Sequence, residues 1–162
     1  MSTKIIRTTP KDWPKIKYKL WQLEQDIFGD NAFEDIEELD TFKNIHGSNY
    51  IVKDGKKIIG YLMSQPLTSD IYHPRIKNRN HTWYLESVGL LPAYQGKGHG
   101  KTLIHNMLLD AIELGCNKAI LDATSDGMVA LALKEGFKKK YYNPNHGNTG
   151  AWIMIYELGG HK

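Results

Sequence analysis

The chain has 162 residues, the length of one domain and enough to bury a core without metal or disulfide staples, so a single unit over residues 1–162 is expected. Hydrophobic residues make up 41% and charged residues 24%, a globular balance that argues against extensive disorder and against membrane spanning. The net charge of +3, from 21 basic and 18 acidic side chains with His neutral, is too small to argue for a nucleic-acid partner.

The N-terminal run MSTKIIRTTPKDW has no long apolar stretch behind its positive charges, so no secretory signal is read and a cytoplasmic location is expected. Lys4 to Thr8 reads as a short strand, and Asp12 as the cap of a helix with Ile16, Leu20, Leu23 and Ile27 on its apolar face, ended by Gly29. Phe33, Ile36 and Leu39 suggest a second short helix. Asp54-Gly55, between the apolar runs Tyr50 to Val52 and Ile58 to Met63, is a strong hairpin signal. A polar, basic loop over Ser69 to His81 carries Arg75, Lys77 and Arg79, read as solubilising charge or as contacts for cofactor phosphates. Trp83 to Leu90 reads as a buried strand stopped by Pro92, with a glycine-rich loop directly behind it.

From Gly100, the spacing of Ile104, Met107, Leu108, Ala111 and Leu114 marks an amphipathic helix closed by Gly115. Cys116 comes next. As the only cysteine it excludes an internal disulfide and a multi-cysteine zinc site, fits a reducing compartment, and reads as a packing residue rather than a nucleophile. Ala119 to Ala123 is a strand, Asp126 caps a last helix through Glu135, ended by Gly136, and strands near Phe137 to Tyr142 and Trp152 to Leu158 finish a mixed α/β order. The seven histidines show no metal-ligand spacing, so no metal is expected.

The loop carries the chemistry. The run GKGHGKT resembles an ATP-binding phosphate loop, but counting back from Gly100-Lys101-Thr102 puts Gln95 where the first Gly of that pattern belongs. The dinucleotide fingerprint fails as well, because Lys101 stands where its third Gly is needed. What remains is a strand-to-helix turn, where unpaired backbone N–H groups and the positive helix end attract anions. Gly96, Gly98 and Gly100 remove Cβ atoms from that turn, and Lys97 and Lys101 add charge.

The segment VGLLPAYQGKGHGKTLI resembles the acyl-CoA signature of the GNAT N-acetyltransferase superfamily, Gln/Arg-x-x-Gly-x-Gly/Ala, filled by Gln95, Gly98 and Gly100. LGCNKAILDAT and ALALKEGF, with Gly136-Phe137, resemble the later strand and helix of that family. The resemblance implies a GNAT-like fold: a mixed, mostly antiparallel central sheet flanked by helices and splayed at the acyl-CoA site. It also implies acetyl-CoA as acyl donor. The backbone of Gln95, Gly96, Lys97, Gly98, His99, Gly100 and Lys101 would hold the pyrophosphate, and that of Val88, Gly89 and Leu90 the pantetheine arm.

Glu86 lies two residues before Val88 and four before Leu90, so strand alternation puts the three side chains on one face. Many relatives place a general base there. An amine must be neutral to attack a thioester; with a lysine-like pKa of about 10.4, deprotonation near neutral pH costs on the order of 4 kcal/mol, which a carboxylate that takes the proton helps to offset. The family tyrosine that protonates the leaving thiolate is replaced by Ala132, four residues before Gly136. Tyr141 and Tyr142 are candidate substitutes, with water a third.

For the acceptor, the acidic segment Glu24 to Asp40 contains Asp26, Asp30 and Glu34 and no Lys or Arg, which suits a cationic amine as well as an ordinary solvated face. His146, in NPNHGNTG, is a further candidate contact. Three readings result. The first is an acetyl-CoA-dependent N-acetyltransferase acting directly on a primary amine, a protein lysine or N-terminus or a small cation. The second, favoured by Ala132, is a non-catalytic CoA-binding sensor. The third is an NTPase, with Ala119 to Asp122 as a faint Walker B echo. No membrane partner is expected. The identity of the amine, longer acyl donors and a homodimer stay open.

Overall fold

The computed structural model describes residues 2–68, 81–146 and 150–158. Seven strands form one sheet in the order β1-β2-β3-β4-β5-β7-β6. They are β1 (Thr3–Arg7), β2 (Tyr50–Asp54), β3 (Lys57–Pro66), β4 (Thr82–Leu90), β5 (Lys118–Ala123), β6 (Lys138–Asn143) and β7 (Ala151–Glu157), with helices α1 (Trp13–Phe28), α2 (His99–Glu113) and α3 (Asp126–Lys134). The β4–β5 pair is parallel, whereas β1–β2, β2–β3, β5–β7 and β6–β7 are antiparallel. This is the expected mixed, mostly antiparallel sheet. The chain divides into two compact units, Met1–Gln65 with Ser87–Ile104, and Pro66–Glu86 with His105–Lys162.

In the first unit, α1 buries Leu20 and Leu23 fully and half-buries Ile16 and Ile27, as their spacing predicts. They join Trp13, Phe42 and Tyr61 in one cluster, where each fully buried Leu contributes about 1.5–3 kcal/mol. Trp13 and Phe42 stack with centroids 6.0 Å apart. Gly29, at φ 54°, ends the helix. Asp12 does occupy the N-cap position, yet its carboxylate turns back to accept from the Thr9 N–H at 2.8 Å, closing the preceding 3₁₀ turn instead of capping α1. The short helix expected near Phe33 to Leu39 is a 3₁₀ segment, Ile36–Lys43, capped by Asp35, which accepts from the Glu37 N–H at 2.9 Å. The hairpin is present with its turn one residue later than expected: Asp54 pairs with Lys57, and Gly55 at φ 60° is the first of the two loop residues.

In the second unit, Tyr84, Ile120, Ile155 and Leu67 pack as a cluster. The last helix begins one residue earlier than expected, because Ser125, not Asp126, caps it, accepting from the Met128 N–H at 3.1 Å. Ala132 is wholly buried in α3. Among the described residues, no helix is long and apolar enough to cross a membrane.

Candidate functional site

The glycine loop, in the first unit, is built from its flanks inward. β4 ends at Leu90, and the 3₁₀ turn Pro92–Tyr94 comes after it. Gln95 folds back so that its side-chain amide donates to the Leu90 carbonyl at 3.0 Å. Gly96 and Gly98 take φ 76° and 89°, the left-handed region that favours glycine. A Cβ at either would meet no heavy atom within 4 Å, so the backbone there borders open space. Gly100 differs from its two neighbours: it lies in the first turn of α2 without left-handed backbone. The Gly98 carbonyl accepts from both the N–H and the hydroxyl of Thr102, at 3.1 and 3.0 Å. The N–H groups of His99, Gly100 and Lys101 precede this first helical bond and lack intrahelical acceptors. Lys97 and Lys101 are exposed beside them.

The strand leading into the loop is closely seated. The Leu91 N–H donates to the Ile59 carbonyl at 2.9 Å. Gly60 leaves room for the Leu90 side chain, which a Cβ there would overlap. A Cβ at Gly89 would stand 3.1 Å from the Phe28 ring, so glycine lets α1 approach the opposite side of β4. Ser87 shares a 2.8 Å hydrogen bond with Tyr61, which assigns the alternate positions Val88 and Leu90 to the other face.

In the second unit, β4 and β5 pair from Thr82 with Lys118 to Leu85 with Leu121. Glu86 is the first residue of β4 beyond that ladder and is half-buried. Tyr84, two residues before it, shares its face and donates its hydroxyl to Asp122 Oδ2 at 2.7 Å. Burial first, then the charge and hydrogen bond of Asp122 and the charge of Glu86, push the Tyr84 hydroxyl far above the usual tyrosine range, which fixes it as a donor. Asp122 has 7% side-chain exposure, and His146 Nδ1 lies 3.9 Å from the same carboxylate oxygen.

Directly opposed residues share a face. Asp122 opposes Ile153, which opposes Tyr141, so half-buried Tyr141 belongs to the Asp122 face. Tyr142 pairs with Trp152 and stands edge-on to its ring at 5.4 Å; alternation gives it the other face. The sequence reading missed Tyr84 and gave Asp122 only as a Walker B echo. The available signal was an acid interrupting the apolar run Ala119 to Ala123.

The acidic segment is partly committed to structure. Glu24 is buried and accepts from the Phe33 N–H at 2.7 and 3.1 Å, while Lys43 lies 3.3 Å from Asp40 and 3.8 Å from Glu37. Asp26, Asp30 and Glu34 are exposed, Asp26 accepting from Gln22 at 2.9 Å. Burial pushes the Glu24 carboxyl above its ordinary value of 4.5, against the Phe33 bond and with the Glu38 charge adding to the rise. A raised folded value favours the protonated form, so its stabilisation is lost as pH rises through that value. Wild type should therefore lose stability relative to Glu24→Gln as pH rises from about 4.5, with a constant gap above the raised value; urea unfolding from pH 4 to 8 measures it.

Burial pushes the Cys116 thiol up, as suits a packing residue and not a thiolate nucleophile. Among the described residues, no three His, Cys, Asp or Glu side chains cluster as metal ligands. Arg75, Lys77 and Arg79 lie outside the described residues, as do residues 147–149 of the NPNHGNTG connection.

A model of the acetyltransferase (GNAT) family matches residues 13–137. Among solved structures, the chain resembles the loading GNATL domain of CurA from Lyngbya majuscula with TM-score 0.79 and 15% identity, over 99% of this chain and 100% of that one. It resembles the ribosomal-protein-S18-alanine N-acetyltransferase of Escherichia coli with TM-score 0.74 and 16% identity, over 97% and 94%. YncA of Salmonella typhimurium, solved with its cofactor acetyl-CoA, matches with TM-score 0.74 and 17% identity, over 100% and 97%. No curated protein matches the chain.

Proposed function

The chain belongs to the acetyltransferase (GNAT) family, and on that premise we propose that residues 1–162 act as one N-acetyltransferase domain that moves an acetyl group from acetyl-CoA directly to a primary amine. The observation that carries this reading is the paired arrangement on β4: its C-terminal end feeds a left-handed glycine loop, and Glu86 stands at the point where the strand leaves the β5 ladder.

Acetyl-CoA supplies the thioester. The N–H groups of Gly96 to Lys101, with Lys97 and Lys101, would hold the pyrophosphate, and the backbone of Val88, Gly89 and Leu90 would pair with the pantetheine amides; the Gln95 N–H, also expected at the pyrophosphate, is instead committed to the Pro92 carbonyl at 3.2 Å. Glu86 accepts the proton the amine gives up as its nitrogen bonds to the acetyl carbon. The carbon–sulfur bond then breaks, and the thiolate takes a proton from a donor or from water. Tyr141 suits the donor role better than Tyr142, because it shares the Asp122 face while Tyr142 rests on Trp152. A cationic acceptor, a protein lysine or N-terminus or a small amine, suits the exposed carboxylates of Asp26, Asp30 and Glu34.

The non-catalytic sensor reading draws on Ala132, buried where relatives carry a tyrosine. Both readings share the cofactor and are tested together first. At about 100 times its dissociation constant, acetyl-CoA should add roughly 2.7 kcal/mol and raise the melting midpoint by several degrees, while Mg-ATP leaves it unmoved. Stabilisation by ATP and not by acetyl-CoA would overturn both.

A further inference from the structure

We propose that Tyr94 and Asp54 form a latch that sets the glycine loop for the CoA pyrophosphate, making both of them positioning residues for the cofactor. The proposal rests on the reading that this loop binds CoA. Tyr94 is the last residue of the 3₁₀ turn Pro92–Tyr94, one position before Gln95. Its hydroxyl donates to Asp54 Oδ2 at 2.6 Å, across 40 residues of sequence. Asp54 is itself well held, as the last residue of β2, paired with Lys57 across the Gly55 turn.

The other ties of this turn are local, running from Tyr94 and Gln95 back to Leu90, Leu91 and Pro92. Tyr94 N–H donates to Leu91 at 2.9 Å, Gln95 N–H to Pro92 at 3.2 Å, and the Gln95 amide to Leu90 at 3.0 Å. The Asp54 bond instead ties the turn across to the neighbouring hairpin. Lys97 Nζ stands 5.7 Å from the centroid of the Tyr94 ring, so the anchored ring also seats a loop cation. The hydrogen bond to Asp54, with lesser contributions from burial and the Asp54 charge, pushes the Tyr94 hydroxyl up, so it remains the donor.

A tether at Tyr94 has value because the glycines begin two residues later. Gly96 and Gly98 have wide conformational freedom, and a loop built on them must be ordered when it closes on a ligand. Fixing the chain just before them lowers that ordering cost before the ligand arrives. The latch should therefore affect ligands that carry a pyrophosphate and leave those without one untouched.

The test compares acetyl-CoA with acetyl-pantetheine, which lacks the nucleotide and both of its bridging phosphates. Tyr94→Phe and Asp54→Ala should each raise the acetyl-CoA Kd and KM about five- to tenfold. Asp54→Asn, which keeps a neutral acceptor, should fall between Asp54→Ala and wild type. The combined Tyr94→Phe/Asp54→Ala variant should be no worse than either single change. Affinity for acetyl-pantetheine and kcat at saturating acetyl-CoA should stay near wild type, while the melting point of the free protein falls by no more than several degrees. Unchanged acetyl-CoA affinity, or equal weakening of both ligands, would overturn the latch while leaving the acetyltransferase reading in place. If wild type itself binds acetyl-CoA no more tightly than acetyl-pantetheine, the loop does not hold the pyrophosphate, and the underlying reading falls together with the latch.

Discussion

Glu86→Gln is expected to lower turnover by about 10²- to 10⁴-fold, the usual contribution of a positioned general base, while leaving acetyl-CoA affinity within about twofold of wild type. Glutamine keeps the size and hydrogen-bonding shape of the side chain and removes only its capacity to take a proton. Position 86 is half-buried, and glutamine matches glutamate in size, so the exchange opens no cavity. The split between kcat and cofactor binding is what separates a base from a structural acid. It also separates the two GNAT readings, because a sensor has no turnover to lose. If the variant turns over as wild type does, Glu86 is not the base. Asp122, held on the same face by Tyr84 at 2.7 Å, then becomes the carboxylate to replace.

The parts of the site that could be read from sequence are those specified by adjacent residues. Pro92, the glycines at 96 and 98, and the Asp54-Gly55 pair each restrict the backbone locally; the strand and loop stand where those residues put them, and the hairpin turn falls one residue later. Counting separates the GKGHGKT run from a phosphate loop, since that loop needs its first glycine at one spacing and Gln95 holds that place.

What escaped the sequence depends on distant partners. Tyr84 and Asp122 are 38 residues apart, Tyr94 and Asp54 are 40 apart, and neither pair has a local signature. Caps failed for a different reason. Ser125 and Asp126 are both good cap residues, and only the position of the Met128 N–H decides between them. At Asp12 the competing donor, the Thr9 N–H, drew the carboxylate away from the helix it was expected to cap. The 3₁₀ segment Ile36–Lys43 shows the same limit: apolar spacing of three residues fits either helix type.

Gly98→Val should raise the acetyl-CoA Kd by about a hundredfold or more while leaving a folded protein. Gly98 sits at φ 89°, where a β-branched residue is strained by about 1–3 kcal/mol. For a domain of this size that strain lowers the melting point by several degrees without preventing folding. No existing atom stands within 4 Å of the position a Cβ would take, so the valine does not clash with the protein. It projects instead into the space assigned to the pyrophosphate, and the strain shifts the carbonyl on which the first Thr102 bonds of α2 depend. Losing two charge-assisted N–H contacts of about 1.5 kcal/mol each accounts for the hundredfold. Gly127→Ala is the control. It too faces open space, but in α3 with ordinary backbone, so it should leave binding unchanged and cost no stability. Titration calorimetry reads both variants directly. A Gly98→Val protein that binds acetyl-CoA as wild type does would detach the cofactor from this loop, and with it the reason for placing the amine chemistry at Glu86.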